Sequence, residues 1–217
     1  MNTLIILLLG IHITAGMLAL VSAPIAIALR SKTPRHRIAG RIYFYSMLAV
    51  TATALVIAAY KNIPFLFLVG IFSFYAIWDA RRSLALKFLH DGQKAKWYDW
   101  AVGLITLLFD VLLVIYGVYI LTSGDGMGWV ALVFGGIGLF TVGKSLLRFI
   151  KPPKDPRHWL YRHLQGMLAG YIATVTAFMA VNIKFLPPLM VWLLPTVVGS
   201  AVITYLMFRI KGGKEHY

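Results

Sequence analysis

Seven long apolar runs, separated by short polar breaks, constrain this chain more than any other feature of its sequence. They fall at roughly 3–29, 40–60, 64–87, 98–122, 128–149, 159–182 and 187–209. Each is close to the roughly 20 residues that a helix needs to cross about 30 Å of hydrocarbon. The runs are continuous rather than alternating, and lipid offers no partner to an open backbone, so helices are expected and barrel strands are not. With 60% hydrophobic and 13% charged residues, the chain carries more apolar surface than one soluble core could hide. The expected fold class is an all-α integral membrane protein, a single domain of seven transmembrane helices spanning 1–217.

The placement of the cations orients that bundle. Of the 21 Lys and Arg residues, 19 fall in four segments on one side, Arg30 to Arg41, Arg81 to Lys96, Lys144 to Arg162, and Arg209 onward. Only Lys61 and Lys184 lie opposite. Loops facing the cytoplasm collect Lys and Arg, so the N-terminus is expected outside and the C-terminus inside. The net charge of +14 then reads as a topology signal and as contact with anionic lipid headgroups, not as a nucleic-acid surface. Val21-Ser22-Ala23 offers a cleavage-like site, but no basic segment precedes the first run, and Pro24 would follow the cut, so a retained first helix is expected.

Two features concern packing. Ala15, Ala19 and Ala23, and again Gly166, Gly170 and Thr174, recur every four residues and make flat faces for close helix contact. Pro34-Arg35-His36 and Pro156-Arg157-His158 echo one another, each after an expected N-cap, Thr33 and Asp155. Asn62-Ile63-Pro64-Phe65-Leu66 and Asn182-Ile183-Lys184-Phe185-Leu186 form a second echo at nearly the same offset. Together they suggest a parallel 3+1+3 repeat, although shared capping chemistry explains them equally well.

The segment His12-Ile13-Thr14-Ala15-Gly16-Met17-Leu18-Ala19-Leu20, with His36-Arg37-Ile38-Ala39-Gly40-Arg41-Ile42-Tyr43-Phe44 and Met47, resembles the opening of a family of bacterial multi-pass membrane proteins catalogued as a domain of unknown function. His163-Leu164-Gln165-Gly166-Met167, Tyr171-Ile172-Ala173-Thr174, Thr176-Ala177-Phe178 and Trp192-Leu193-Leu194-Pro195-Thr196 resemble the same proteins. The resemblance covers most of the chain and implies a multi-pass protein of the bacterial inner membrane. It implies no activity.

Ionisable side chains inside spans cost on the order of 2.5–3.5 kcal/mol each, so they usually face a bundle interior or water. His12, Asp79, Asp110, Lys144 and His163 are the candidates. Counting along the spans puts Asp79, Lys144 and His163 in the cytoplasmic third and His12 and Asp110 near the midplane. His12 and Asp110 are expected to pair, and the two layers to form a polar track for a proton or small solute. Simpler readings stand beside this one. Asp79 can pair with Arg81 or Arg82, Lys144 can snorkel to headgroups, and His12 needs only one carbonyl or hydroxyl. Asp110 is the hardest to explain away, because its side chain is too short to reach water from midplane.

Cofactor chemistry is the alternative class. His36, His158, His163 and Asp79 offer the donor types zinc accepts in a hydrolase, but no HExxH-like spacing supports the set. A haem would need two imidazoles at matching depth, and His12 and His163 differ by roughly 10 Å. With no cysteine, thiolate sites are excluded. Phosphate loops, Ser/His/Asp triads and dinucleotide fingerprints are absent too. The sequence therefore predicts no cofactor, favours transport or conduction over an enzyme, and keeps scaffolding as a third reading, with the oligomeric state open.

Overall fold

The computed structural model describes residues 3–30 and 32–212, so the end of the fourth basic segment, with Lys214, lies outside the described residues. Seven helices follow one another: α1 (Thr3–Ala28), α2 (Thr33–Tyr60), α3 (Pro64–Ser83), α4 (Trp97–Thr122), α5 (Met127–Ile150), α6 (His158–Asn182) and α7 (Pro188–Lys211). One short 3-10 turn, Leu89–Asp91, interrupts the α3–α4 connection, and no strand occurs among the described residues. All seven helices are long and apolar enough to cross a membrane. The shortest, α3 at 20 residues, spans about 30 Å at the usual helical rise. Large apolar side chains such as Ile11, Leu104, Leu108, Phe140, Val197 and Phe208 cover the outside, as lipid-facing positions require.

The boundaries differ from the sequence expectation in three informative places. The helix expected over 40–60 begins seven residues earlier, because Pro34 sits in its first turn with a helix-compatible φ and nothing breaks the basic stretch that follows. The residue preceding it at the cap is Lys32, and Thr33 already belongs to the helix. The run expected over 64–87 ends at Ser83, where Ala85 and Leu86 turn back on the carbonyls of Arg82 and Ser83. Pro156 lies two residues before α6, whose first helical residue is His158. Asp155 does not cap α6 directly. Its carboxylate accepts from the Arg157 amide (2.8 Å) and the Tyr161 hydroxyl (2.9 Å), and the Arg157 amide above all holds the carboxyl below the usual carboxylate range.

α3 is the hub. It packs on α2, α4, α5 and α6, while α1 lies on α2, α4 on α5, and α7 on α6. In a parallel repeat α5 would take α6 as its main neighbour, as α1 takes α2, yet α5 packs chiefly on α4. The echoed prolines also occupy different positions relative to their helices, which leaves capping chemistry as the simpler account of the echo.

Small residues bring the hub helices together. Ala15, Ala19 and Ala23 are all buried, the last two in a cluster with Tyr43, Met47 and Ile77. On α6, Gly166 lies so close to α3 that a Cβ there would sit 2.4 Å from the Ala76 carbonyl oxygen and 2.7 Å from the Ala80 Cβ. Backbone cannot yield as a flexible side chain can. Gly166→Ala is therefore expected to cost about 1–3 kcal/mol by overpacking, read as a lowered thermal midpoint of the purified protein in detergent. An unchanged midpoint would mean that α6 can move off α3 freely.

Candidate functional site

Two buried aspartates organise the interior, and their surroundings are opposite. Asp79, near the end of α3, is 5% exposed and accepts from side chains of two other helices. Ser145 of α5 donates to its Oδ2 at 3.0 Å, and Arg162 of α6 donates through Nε at 3.0 Å. Arg148 of α5 and a second nitrogen of Arg162 complete the cluster as ion pairs. Arg162 also donates to Ser145. Three helices are thereby tied at one carboxylate, next to the basic end of the bundle.

The partners expected for Asp79 are elsewhere. Arg82 forms a two-point pair with Asp99 at 2.6 and 3.0 Å, and Asp99 also accepts the Lys96 amide at 2.8 Å, closing the first turn of α4. Arg81 stands over the Phe44 ring. Lys144 does not join the cluster. It points outward, its ammonium 4.2 Å from the Phe140 ring centre, because Ser145 and Arg148, one and four positions on, take the inward face of α5. Arg148 and Arg162 were hidden in the sequence because they read as members of basic segments. The available signal was that Asp79, Arg148 and Arg162 each fall within a turn or so of a helix end on the same side.

Asp110, in the middle of α4, is 1% exposed and turned inward. Neither carboxyl oxygen has a hydrogen-bond partner. The carboxyl lies against Gly138 of α5, where a Cβ would come within 2.4–2.6 Å of its carbon and both oxygens. Only the missing side chain of Gly138 lets the group lie on the backbone of α5. Along the same buried stripe of α4 come Thr106 and Gly103 toward the basic end, and the hydroxyl of the buried Tyr75 would be 3.7 Å from a Cβ at Gly103. Tyr75 is one turn from Asp79 on α3.

The expected His12–Asp110 pair does not form. The Nδ1 of His12 donates to the Thr53 hydroxyl (3.0 Å) and the Val50 carbonyl (3.2 Å), both on α2. α1 packs on α2 and α6, while α4 packs on α5 and α3, so the two residues serve different parts of the bundle. Matching depth along two helices does not make them neighbours.

The other histidines are held in the same way. His36 donates through Nδ1 to the Ala26 carbonyl (2.9 Å), and His163 through Nδ1 to the Ala80 carbonyl (3.1 Å). Their rings meet edge to face at 6.4 Å. His158 donates through Nε2 to the Lys87 carbonyl at 3.1 Å. A carbonyl only accepts, so in each ring the bonded nitrogen carries a proton. The zinc set of His36, His158, His163 and Asp79 is not assembled, since among the described residues no three His, Asp or Glu side chains gather as a metal site. For the haem alternative, His12 is directed at α2 and His163 at α3, each toward a different helix seam.

Removing the Asp79 carboxylate would leave two guanidinium groups, that of Arg148 buried and that of Arg162 partly so, without a counter-charge. Asp79→Ala is expected to destabilise the protein by about 3–5 kcal/mol, the usual effect of stranding one side of a buried pair. Unfolding of the detergent-solubilised variant measures it, and a change under about 1 kcal/mol would mean that the three-helix tie is not structural. No family model matches this chain, and no curated protein and no solved structure matches it either, so its chemistry is read from this geometry alone.

Proposed function

We propose that this protein conducts protons, or couples a proton to a small solute, through the seam between α3, α4 and α5, with Asp110 as the group that carries the proton. The observation that carries this reading is the unpartnered carboxyl of Asp110 against Gly138. An ionised carboxylate without a partner is far too costly in such surroundings, so the group is held as the neutral acid. A neutral acid that can release its proton to a polar neighbour is what a proton path needs at midplane.

Support comes from what lies below it. Thr106 and the Tyr75 hydroxyl, on the buried faces of α4 and α3, lie between the level of Asp110 and that of Ser145, which belongs to the Asp79 cluster. From Gly138 to Ser145 along α5 is about 10 Å at the helical rise. Steps of that size are spanned by one or two waters or hydroxyls. Asp79, held by Arg148 and Arg162, shapes the path without serving as a carrier, because two cations keep it ionised. The path runs toward the basic end, which the cation bias favours as the cytoplasmic side, with the N-terminus outside; the bacterial inner membrane is what the family resemblance implies.

Two experiments test the reading. Proteoliposomes containing the protein and a trapped pH-sensitive dye should acidify under an imposed proton gradient, and Asp110→Asn should reduce that flux at least tenfold while keeping the fold, being nearly isosteric. Tyr75→Phe should slow it by a smaller factor. Independently, a hydrophobic carbodiimide, which reacts with protonated carboxyls in apolar surroundings, should modify Asp110 and spare Asp79, as peptide mass analysis reads directly. Flux unaffected by Asp110→Asn would end the proposal. A Soret band or stoichiometric metal in the purified protein would favour the cofactor alternative instead. For the orientation, a reporter after Tyr217 should be cytoplasmic and one in the 124–128 turn external.

A further inference from the structure

At the end of the bundle away from the basic segments, a groove of about 550 Å³ runs along the flank of α3, a volume within the range of small-molecule sites. Phe67 and Leu68 of α3 form its floor, and Leu112, Ile115, Tyr116 and Tyr119 of α4, spaced as one helical face, form a wall. The other wall is the last turn of α2, where Ala58 and Ala59 are too small to fill the space between the helices. From Tyr119 to Leu112 is about 10 Å at the helical rise, directed from the end of α4 toward the midplane. Leu112, Ile115 and Tyr119 are exposed on the outside of the bundle, so the groove opens sideways to lipid. They lie on the side of α4 turned away from Asp110, and the groove has no share in the proposed proton path.

The rim of the groove carries an uncommitted cation. Asn62, whose left-handed backbone (φ 51°) turns the chain from α2 into α3, lines the groove, and the exposed Lys61 immediately precedes it. Lys61 enters no ion pair among the described residues. The other charged side chains described at this end are engaged locally: Lys184 donates to the Ala180 carbonyl (3.1 Å), and Asp125 accepts from the Met127 amide (2.8 Å). Two constraints then act on the occupant. A lipid-facing groove left empty would forfeit the dispersion contacts of its walls, and an acyl chain is the filler that a bilayer supplies. Acyl chains are all as apolar as the groove, so apolar contact does not choose among lipids. The choice falls to the ammonium at the rim, which attracts a phosphate as a point charge and repels the cation of a choline headgroup.

We infer that the groove between the last turn of α2, α3 and α4 is a binding site for one anionic phospholipid of that leaflet, with an acyl chain along Phe67 and Leu68 and the headgroup phosphate at Lys61. The chain lies parallel to the helices, as it does in the surrounding bilayer, so it enters without bending across the membrane plane. Asn62 and Tyr119, near the helix ends where headgroups begin, offer an amide and a hydroxyl as further donors to phosphate or glycerol oxygens. Lys61 is one of only two cations on its side of the chain, so the site is distinct from the general attraction of the basic segments for anionic lipid at the opposite face.

Photo-crosslinking of the full-length protein in phosphatidylcholine vesicles provides the test. The vesicles carry either a phosphatidylglycerol probe with a diazirine in its acyl chain or the matching phosphatidylcholine probe, and peptide mass analysis locates the label. The glycerol probe should label 63–68 and 112–119 about fivefold more than the exposed apolar face of α7 at 197–208, and several-fold more than the choline probe labels the same peptides. Ala59→Trp fills the groove from an exposed position and should abolish the enrichment. Lys61→Gln leaves the groove open and should lower labelling by the glycerol probe to that by the choline probe. Each variant tests the site by itself, and a thermal midpoint near the wild-type value confirms that it folds. Label spread evenly over the lipid-facing helices, as an unselective lipid annulus gives, would overturn the site, and so would an enrichment that survives Ala59→Trp or is unchanged by Lys61→Gln.

Discussion

The carboxylate of Asp79 between Arg148 and Arg162 is the interaction on which the rest of the bundle depends. Helices in lipid gain little from burying apolar surface against one another, since the lipid is as apolar as they are. Their arrangement is therefore decided by close packing and by a few polar contacts with no good alternative. α5 packs chiefly on α4, and α6 chiefly on α3 and α7. Asp79 and Ser145 draw the ends of α3, α5 and α6 onto one point, where the net surplus of positive charge also faces the side of the chain rich in Lys and Arg.

Against that tie the midplane is arranged on a different principle. Asp79 is surrounded by donors and has no freedom, whereas Asp110 is surrounded by the backbone of α5 and has no donor. The same side chain is a fixed counter-ion in one place and unpartnered in the other. The difference comes from neighbours, two arginines and a serine against one glycine. The tied aspartate and the unpartnered one meet α5 about two helical turns apart, at Ser145 and at Gly138.

The histidines show how little a residue type says without its partner. Four of them, His12, His36, His158 and His163, each engage a backbone carbonyl of another segment. Each such bond satisfies a carbonyl acceptor and fixes a ring, which is sufficient reason for a histidine in a helix bundle. What distinguishes His158 is its buried second nitrogen, which has no hydrogen-bond partner.

Seven membrane-spanning lengths, the all-helical class and the sidedness of the charge were legible in the sequence, because span length and continuous apolarity are local properties that lipid enforces run by run. So was the inward turn of Asp110, since a short carboxyl at midplane has nowhere else to go. The small-residue faces at Ala19 and Gly166 could be read for the same local reason. What the sequence could not supply was which helix stands beside which. His12 and Asp110 matched in depth but belong to different seams, and Asp79 passed over its sequence neighbours Arg81 and Arg82 for cations 69 and 83 positions away. Depth along a helix follows from counting residues. Azimuth and neighbour are settled only when close-packed faces such as Gly166 on Ala76 and Gly138 on Asp110 lock the helices together. Tertiary structure alone therefore decided which buried carboxyl is paired and which is left without a partner.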